Sequence, residues 1–198
     1  MKRITKTLRK KLANIKLLIV DTDGVMTKPF VIWSGSDNNK KSIFESKLFC
    51  IHDGSACWVA SEAGLKIVLV SGRSSETVYQ RAKKIRIDEV FLNSINKLAI
   101  LDKVMDKYKI QNTEIGYIGD DFLDLPILKK VGVAFSVNDS VEEVKEVAHF
   151  ISDKNGGEGA VAEIIRLILT TQGKWKTCMD AVLKKIYLNN ETISDVDK

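Results

Sequence analysis

The chain has 198 residues, 44% of them apolar and 29% charged, a length and composition that fit one α/β domain with additions and exclude a disordered or low-complexity chain. Its net charge of +5 is concentrated in Lys2, Arg3, Lys6, Arg9, Lys10 and Lys11, and with no interleaved aromatic residues these cations read as a solvated helix end rather than a nucleic-acid site. No run of about 18 apolar residues is present and the N-terminus lacks the apolar stretch of a secretory signal, so a cytoplasmic protein with no membrane partner is expected.

In chain order, residues 1–14 are the basic N-terminal extension, and the folded domain is expected over 15–175. Its strands are expected at Lys16 to Val20, Lys66 to Val70, Glu89 to Leu92, Ile115 to Ile118 and Gly132 to Phe135, all short and rich in Ile, Val or Leu. Helices are expected at Gly54 to Ala63, Ser75 to Lys84, Asn96 to Tyr108, Phe122 to Lys130, Val141 to Val147 and Glu158 to Thr171. Ile100, Leu101, Val104 and Tyr108, for example, fall on one helical face, with Asp102, Lys103, Asp106 and Lys107 opposite. Alternating strands and helices predict a three-layer, doubly wound α/β fold around a parallel sheet.

One connection breaks this rhythm. Thr27 to Ile51 joins the first strand to the first helix through roughly two dozen residues, where about two to six are usual. Phe30-Val31-Ile32-Trp33 and Ile43-Phe44-Glu45-Ser46 flank the turn-rich Ser34 to Asn39, which predicts a β-hairpin inserted after strand one. Its Phe and Trp make it a candidate subunit contact. Residues 176–198 are read as a C-terminal extension, polar and loose from Leu188 onward. Cys50, Cys57 and Cys178 lack C-x-x-C spacing, and His52 and His149 stand far apart, so neither a disulfide framework nor a zinc site is expected.

Ligands of open α/β sheets sit beyond the carboxyl ends of the strands. There the chain places Asp21-Thr22-Asp23-Gly24-Val25, Ser71-Gly72-Arg73 and Gly119-Asp120-Asp121-Phe122-Leu123-Asp124, with Lys97 at a helix start. Acids converging from two strand ends repel each other unless a cation lies between them, and hard carboxylate oxygens select Mg2+. A cation so held binds phosphate, with Lys97, Ser71 and the amides near Gly24 and Gly72 as further donors. The pattern predicts phosphoryl chemistry.

Taken in order, Asp-x-Asp-Gly-Val, Ser-Gly-Arg, the isolated Lys and Gly-Asp-Asp-x-x-x-Asp resemble the four motifs of the haloacid dehalogenase superfamily. The resemblance implies that Asp21 is the nucleophile, forming an aspartyl phosphate, and that Asp23 passes a proton to the leaving group and then serves as base for water. Mg2+ would be held by the carboxylates of Asp21 and Asp120 and the main-chain carbonyl of Asp23. Asp124 would orient Lys97, and Asp121 would either support the site or serve a helix N-terminus. Neither insertion point for a large cap domain is filled. The hairpin, the missing cap and Gly156-Gly157-Glu158-Gly159-Ala160-Val161-Ala162-Glu163 resemble the 3-deoxy-D-manno-octulosonate 8-phosphate phosphatases, over about Ile15 to Trp175. Members of that group pack four hairpins in a homotetramer and complete each site from a neighbouring subunit; the resemblance implies the same assembly here and a role in lipopolysaccharide synthesis.

The same resemblance implies that Arg73 and Arg81 meet a sugar-acid carboxylate, Arg81 being equally readable as a surface helix cation. His52, in His52-Asp53-Gly54, stands where the group has Arg, and Ala162 likewise; Asn93 to Asn96 lacks the glycine usual before the lysine. His52 and Asp53 are carried as substrate-side candidates, the imidazole offering a donor to an anion. The departures keep a sialic-acid-like 9-phosphate as the alternative substrate. Two other classes remain: a non-catalytic sugar-phosphate binder, and a receiver-like domain, whose acidic pair would precede its phosphorylated aspartate rather than follow it.

Overall fold

The computed structural model describes residues 4–35 and 44–188. Six parallel strands form one sheet in the order β5-β4-β1-β6-β7-β8: β1 (Leu17–Asp21), β4 (Lys66–Val70), β5 (Glu89–Phe91), β6 (Ile115–Gly119), β7 (Val133–Ser136) and β8 (Phe150–Ile151). Every residue of β1 and β6 is buried, because each strand is covered on both faces. Leu18 and Val20 of β1 point into one core with Ile67 and Leu69 of β4, whereas Leu17 and Ile19 point into the other with Val68 and Val70.

Helices α1 (Lys6–Ala13), α2 (Ile51–Glu62), α3 (Glu76–Lys84), α7 (Ala160–Thr171) and α8 (Trp175–Leu188) fill the first core, and α4 (Lys97–Tyr108), α5 (Leu125–Leu128) and α6 (Glu142–Val147) fill the second. This is the expected three-layer α/β fold. From β1 the chain steps to β4 and β5 on one side, then returns to β6, β7 and β8 on the other. The reversal beside β1 opens the crevice in which such sheets bind ligands.

The insertion after β1 is a two-stranded antiparallel hairpin, β2 (Ile32–Ser34) and β3 (Phe44–Ser46), with Trp33 opposite Glu45. Phe30, Trp33 and Phe44 are each at least 60% exposed. Bridges from Thr27 to both Asp23 and Phe49 tie the hairpin base to the turn after β1. Residues 36–39 of the expected turn, Ile43, Lys2, Arg3 and the tail after Leu188 lie outside the described residues.

Both expected extensions contribute a helix to the core. In α1, capped by the Thr5 hydroxyl, which accepts the Leu8 amide at 3.1 Å, the cations lie outward while Leu8 and Leu12 are buried; α8 buries Val182. The helix expected from Phe122 to Lys130 is instead a 3-10 turn, Phe122–Asp124, followed by the short α5 with a proline in its first turn, where a missing N–H costs nothing. Strand β8 was not foreseen, since two residues carry no period.

Candidate active site

Asp21 ends β1 opposite Val70 of β4, and the preceding Val20 is paired with Ile118 of β6, so strands on both sides hold the backbone that leads into it. The turn that follows is closed by the Met26 amide donating to the Asp21 carbonyl (3.3 Å) and the Thr27 amide to the Thr22 carbonyl (2.9 Å). The Thr22 hydroxyl donates to the Val70 carbonyl at 2.8 Å. Gly24 has φ of 90°, and a Cβ there would lie 2.0 Å from Asp120 Oδ2. The glycine is thus required both by the left-handed turn and by the approach of the acid from β6.

Three carboxylates converge below this turn. Asp21, Asp120 and Asp124 each offer an oxygen within 4.8 Å of the others. Lys97, at the start of α4, places its ammonium 2.8 Å from Asp21 Oδ1 and also against Asp124 Oδ1. Asp124 is fully engaged: Oδ1 also accepts the Tyr117 hydroxyl at 2.6 Å, and Oδ2 accepts the amides of Asp120 (3.0 Å) and Asp121 (3.3 Å). Asp120 differs, because its Oδ1 is buried with no hydrogen-bond partner.

Burial raises Asp21 to about 7, the Asp124 charge acting in the same direction and Lys97 opposing. Burial and the charges of Asp21 and Asp124 raise Asp120 to about 8. Burial opposes the Lys97 ammonium, but Asp21 and Asp124 outweigh it and hold the proton more tightly than usual. One ammonium facing three acids leaves an excess of negative charge that the protein does not neutralise. An all-oxygen donor set with one unpartnered buried oxygen fits a hard divalent cation such as Mg2+.

Asp23 lies at the rim of the site. One of its oxygens meets the Lys47 ammonium, and the other accepts the Ser71 hydroxyl at 3.2 Å. Ser71 in turn accepts the Arg73 amide at 3.1 Å, and Gly72 between them has an open face, where a Cβ would meet only Ile95 at 3.6 Å. Arg73 donates to Glu45 Oε2 at 2.7 Å and lies over the Trp33 ring, so it is held by the hairpin. Asp121 caps the 3-10 turn, its Oδ1 accepting the Phe122 amide at 2.6 Å.

His52, Asp53 and Arg81 form a second group around the start of α2. His52 is exposed. Asp53 is fully buried, its Oδ1 accepting the Ala162 amide at 2.7 Å at the beginning of α7 and its Oδ2 lacking a hydrogen-bond partner; burial raises it to about 6. Arg81 lies over Phe49, close enough to α2 that a Cβ on Gly54 would be 2.7 Å from Nη2. The sequence motifs thus separate into a phosphate-side group that includes Asp21, Asp23, Ser71, Lys97, Asp120 and Asp124, and this second group.

Lys47, Glu45 and Tyr117 were missed from sequence. Tyr117 could have been found by counting two residues back along the inward face from Gly119. Lys47 carries no motif, and only the hairpin's return brings it to Asp23.

Comparison with known proteins agrees with this geometry. Residues 87–165 match the family model of haloacid dehalogenase-like hydrolases. The chain is 31% identical to the 3-deoxy-D-manno-octulosonate 8-phosphate phosphatase of Escherichia coli (strain K12) over 164 residues, 83% of this chain and 84% of that one. It superposes with a TM-score of 0.81 on the Moraxella catarrhalis 3-deoxy-D-manno-octulosonate 8-phosphate phosphatase in complex with magnesium ion, phosphate ion and KDO, at 30% identity, covering 88% of this chain and 97% of that one. The corresponding Yersinia pestis structure gives a TM-score of 0.81 at 28% identity, covering 87% and 90%. On sequence and fold together, the chain belongs to the haloacid dehalogenase-like hydrolases and is a phosphatase.

Proposed function

We propose that this phosphatase is a Mg2+-dependent phosphomonoesterase of sugar-acid phosphates, with 3-deoxy-D-manno-octulosonate 8-phosphate as its substrate, in the synthesis of surface polysaccharide. The observation that carries the reaction is the Lys97 ammonium on Asp21 beside the unpartnered oxygen of Asp120. The identity to octulosonate phosphatases over most of their length supports the substrate.

In this reading the Asp21 carboxylate attacks phosphorus in line, the ester P–O bond breaks, and the leaving alkoxide takes a proton from Asp23. Asp23 then takes a proton from the water that hydrolyses the aspartyl phosphate, which releases inorganic phosphate and restores both acids. Lys97, the Ser71 hydroxyl and the amides near Gly24 and Gly72 donate to phosphate oxygens. The carboxylates of Asp21 and Asp120 and the carbonyl of Asp23 would hold Mg2+, which when bound would supply the positive charge that lets an anionic nucleophile approach an anionic substrate. Asp124, with both oxygens engaged, holds Lys97 and the loop amides in place.

Arg73, Arg81, His52 and Asp53 are assigned to the sugar-acid side, and the chains assemble through their hairpins into a cytoplasmic homotetramer with neither nucleic acid nor membrane as partner. A sialic-acid-like 9-phosphate is the second reading. It is favoured by His52 and Ala162 at positions where the octulosonate group has Arg, and by the engagement of Arg73 with Glu45, which a substrate carboxylate would have to displace. Phosphate release from the octulosonate 8-phosphate, a nonulosonate 9-phosphate and neutral hexose 6-phosphates decides between them. A kcat/KM for the octulosonate at least about tenfold above the others is expected; preference for the 9-phosphate selects the second reading, and equal hexose turnover overturns both.

A further inference from the structure

The Lys47 ammonium lies between two carboxylates, Asp23 on one side and Glu45 at 2.9 Å on the other, and its side chain is only 1% exposed. A buried ammonium is costly unless it is paired, and losing one partner of such a group is felt strongly. The pairing here is specific. Glu45 belongs to β3 and Lys47 follows it directly, whereas Asp23 belongs to the turn after β1; Glu45 also accepts Arg73. Charges therefore alternate along Arg73, Glu45, Lys47 and Asp23, with the Ser71 hydroxyl on the remaining Asp23 oxygen. The Asp23 carboxylate is gripped on both oxygens, by a cation from the hairpin and a hydroxyl from the end of β4. Burial opposes the ammonium, but the hydrogen bonds and charges of Asp23 and Glu45 outweigh it, so Lys47 stays cationic.

We propose that Lys47 is a positioning residue for the phosphatase reaction: clamped by Glu45, it fixes the orientation of the Asp23 carboxylate and so sets how effectively Asp23 delivers a proton to the leaving oxygen. This rests on the reading of Asp23 as the proton carrier. It makes the hairpin part of the catalytic apparatus of its own chain. A residue that merely held the fold together would affect all substrates alike. One that aims a proton donor affects only esters whose leaving group needs the proton.

The test compares kcat/KM, which reports steps up to leaving-group departure, on an alkyl sugar phosphate and on p-nitrophenyl phosphate, whose phenolate departs unprotonated. General acid catalysis contributes about 100-fold or more, and a misaimed donor loses part of that. Lys47→Met should therefore lower the alkyl ester roughly tenfold or more and the aryl ester less than about threefold, with Lys47→Arg restoring most of the loss. Asp23→Asn serves as the reference. If it lowers both esters equally, Asp23 is not the proton carrier and the proposal fails with that reading. If Asp23→Asn separates the two esters while Lys47→Met lowers both equally or neither, the role of Lys47 alone is overturned. Should thermal melting show that Lys47→Met does not fold, Glu45→Gln, which keeps the ammonium and weakens its clamp, decides: a selective loss on the alkyl ester supports the proposal and a uniform effect overturns it.

Discussion

Lys97 shows how strongly single side chains are constrained in this site. Its side chain is 8% exposed and its ammonium faces Asp21 and Asp124, and Asp120 lies among the same carboxylates. Replacing it by Met leaves the buried Asp21 and Asp124 and the partly buried Asp120 without an organic counter-charge. Breaking such a pair destabilises by about 3–5 kcal/mol, and removing a donor to developing phosphate charge slows the reaction by roughly 100-fold or more. Urea melts and phosphate assays on Lys97→Met should show both losses, with Mg2+ raising the melting midpoint of the variant. A variant as stable and active as the wild type would remove Lys97 from the site. At this scale the phosphate-side residues were legible because four short motifs follow in order, each at a strand end. Lys47 was not, since its proximity to Asp23 comes from tertiary packing that no local spacing encodes; Tyr117 stood on a readable strand two residues before Gly119 but carried no motif of its own.

Among the elements, α2 and α7 are joined by Asp53, whose carboxylate accepts the Ala162 amide at the exposed end of the α7 ladder. Its pKa is raised to about 6, burial being the main cause, while the amides of Ala162 and Gly159 oppose the rise. The folded value thus lies above the 3.8 of an ordinary aspartate carboxyl. The resulting stabilisation is fully present below about pH 4 and is lost as the pH rises through about 6. Asp53→Asn keeps an acceptor for the amide but cannot titrate, so its melting temperature relative to wild type should increase between pH 4.5 and 7.5. A difference that stays constant with pH would show that Asp53 does not titrate in that window. Element legibility followed size and period. β1, β4 and β6 were placed within a residue or so because buried parallel strands are continuous apolar runs. β8 has two residues, too few to show a period, and in α8 the fully buried Val182 is joined on the core only by partly buried side chains, among them Trp175, Met179 and Ile186.

For the molecule as a whole, the strand order is what makes the site. Reversal at β1 sets Asp21 between β4 and β6, and the hairpin returns Lys47 to the rim. The alternation of strands and helices made the parallel sheet legible, and the four motifs made the catalytic end of it legible. The substrate end was less so, because His52 and Ala162 stand where the resemblance leads one to expect Arg. In the proposed reaction Asp21 is the group to which the phosphoryl is transferred. Its most direct test is to mix enzyme, Mg2+ and sugar-acid phosphate, quench in acid, and search the digested peptides by mass spectrometry while following phosphate release. A phosphoryl increment is expected on the peptide containing Asp21 in the wild type, and neither increment nor phosphate release from Asp21→Asn. Phosphate release by Asp21→Asn at a rate near that of the wild type would contradict it.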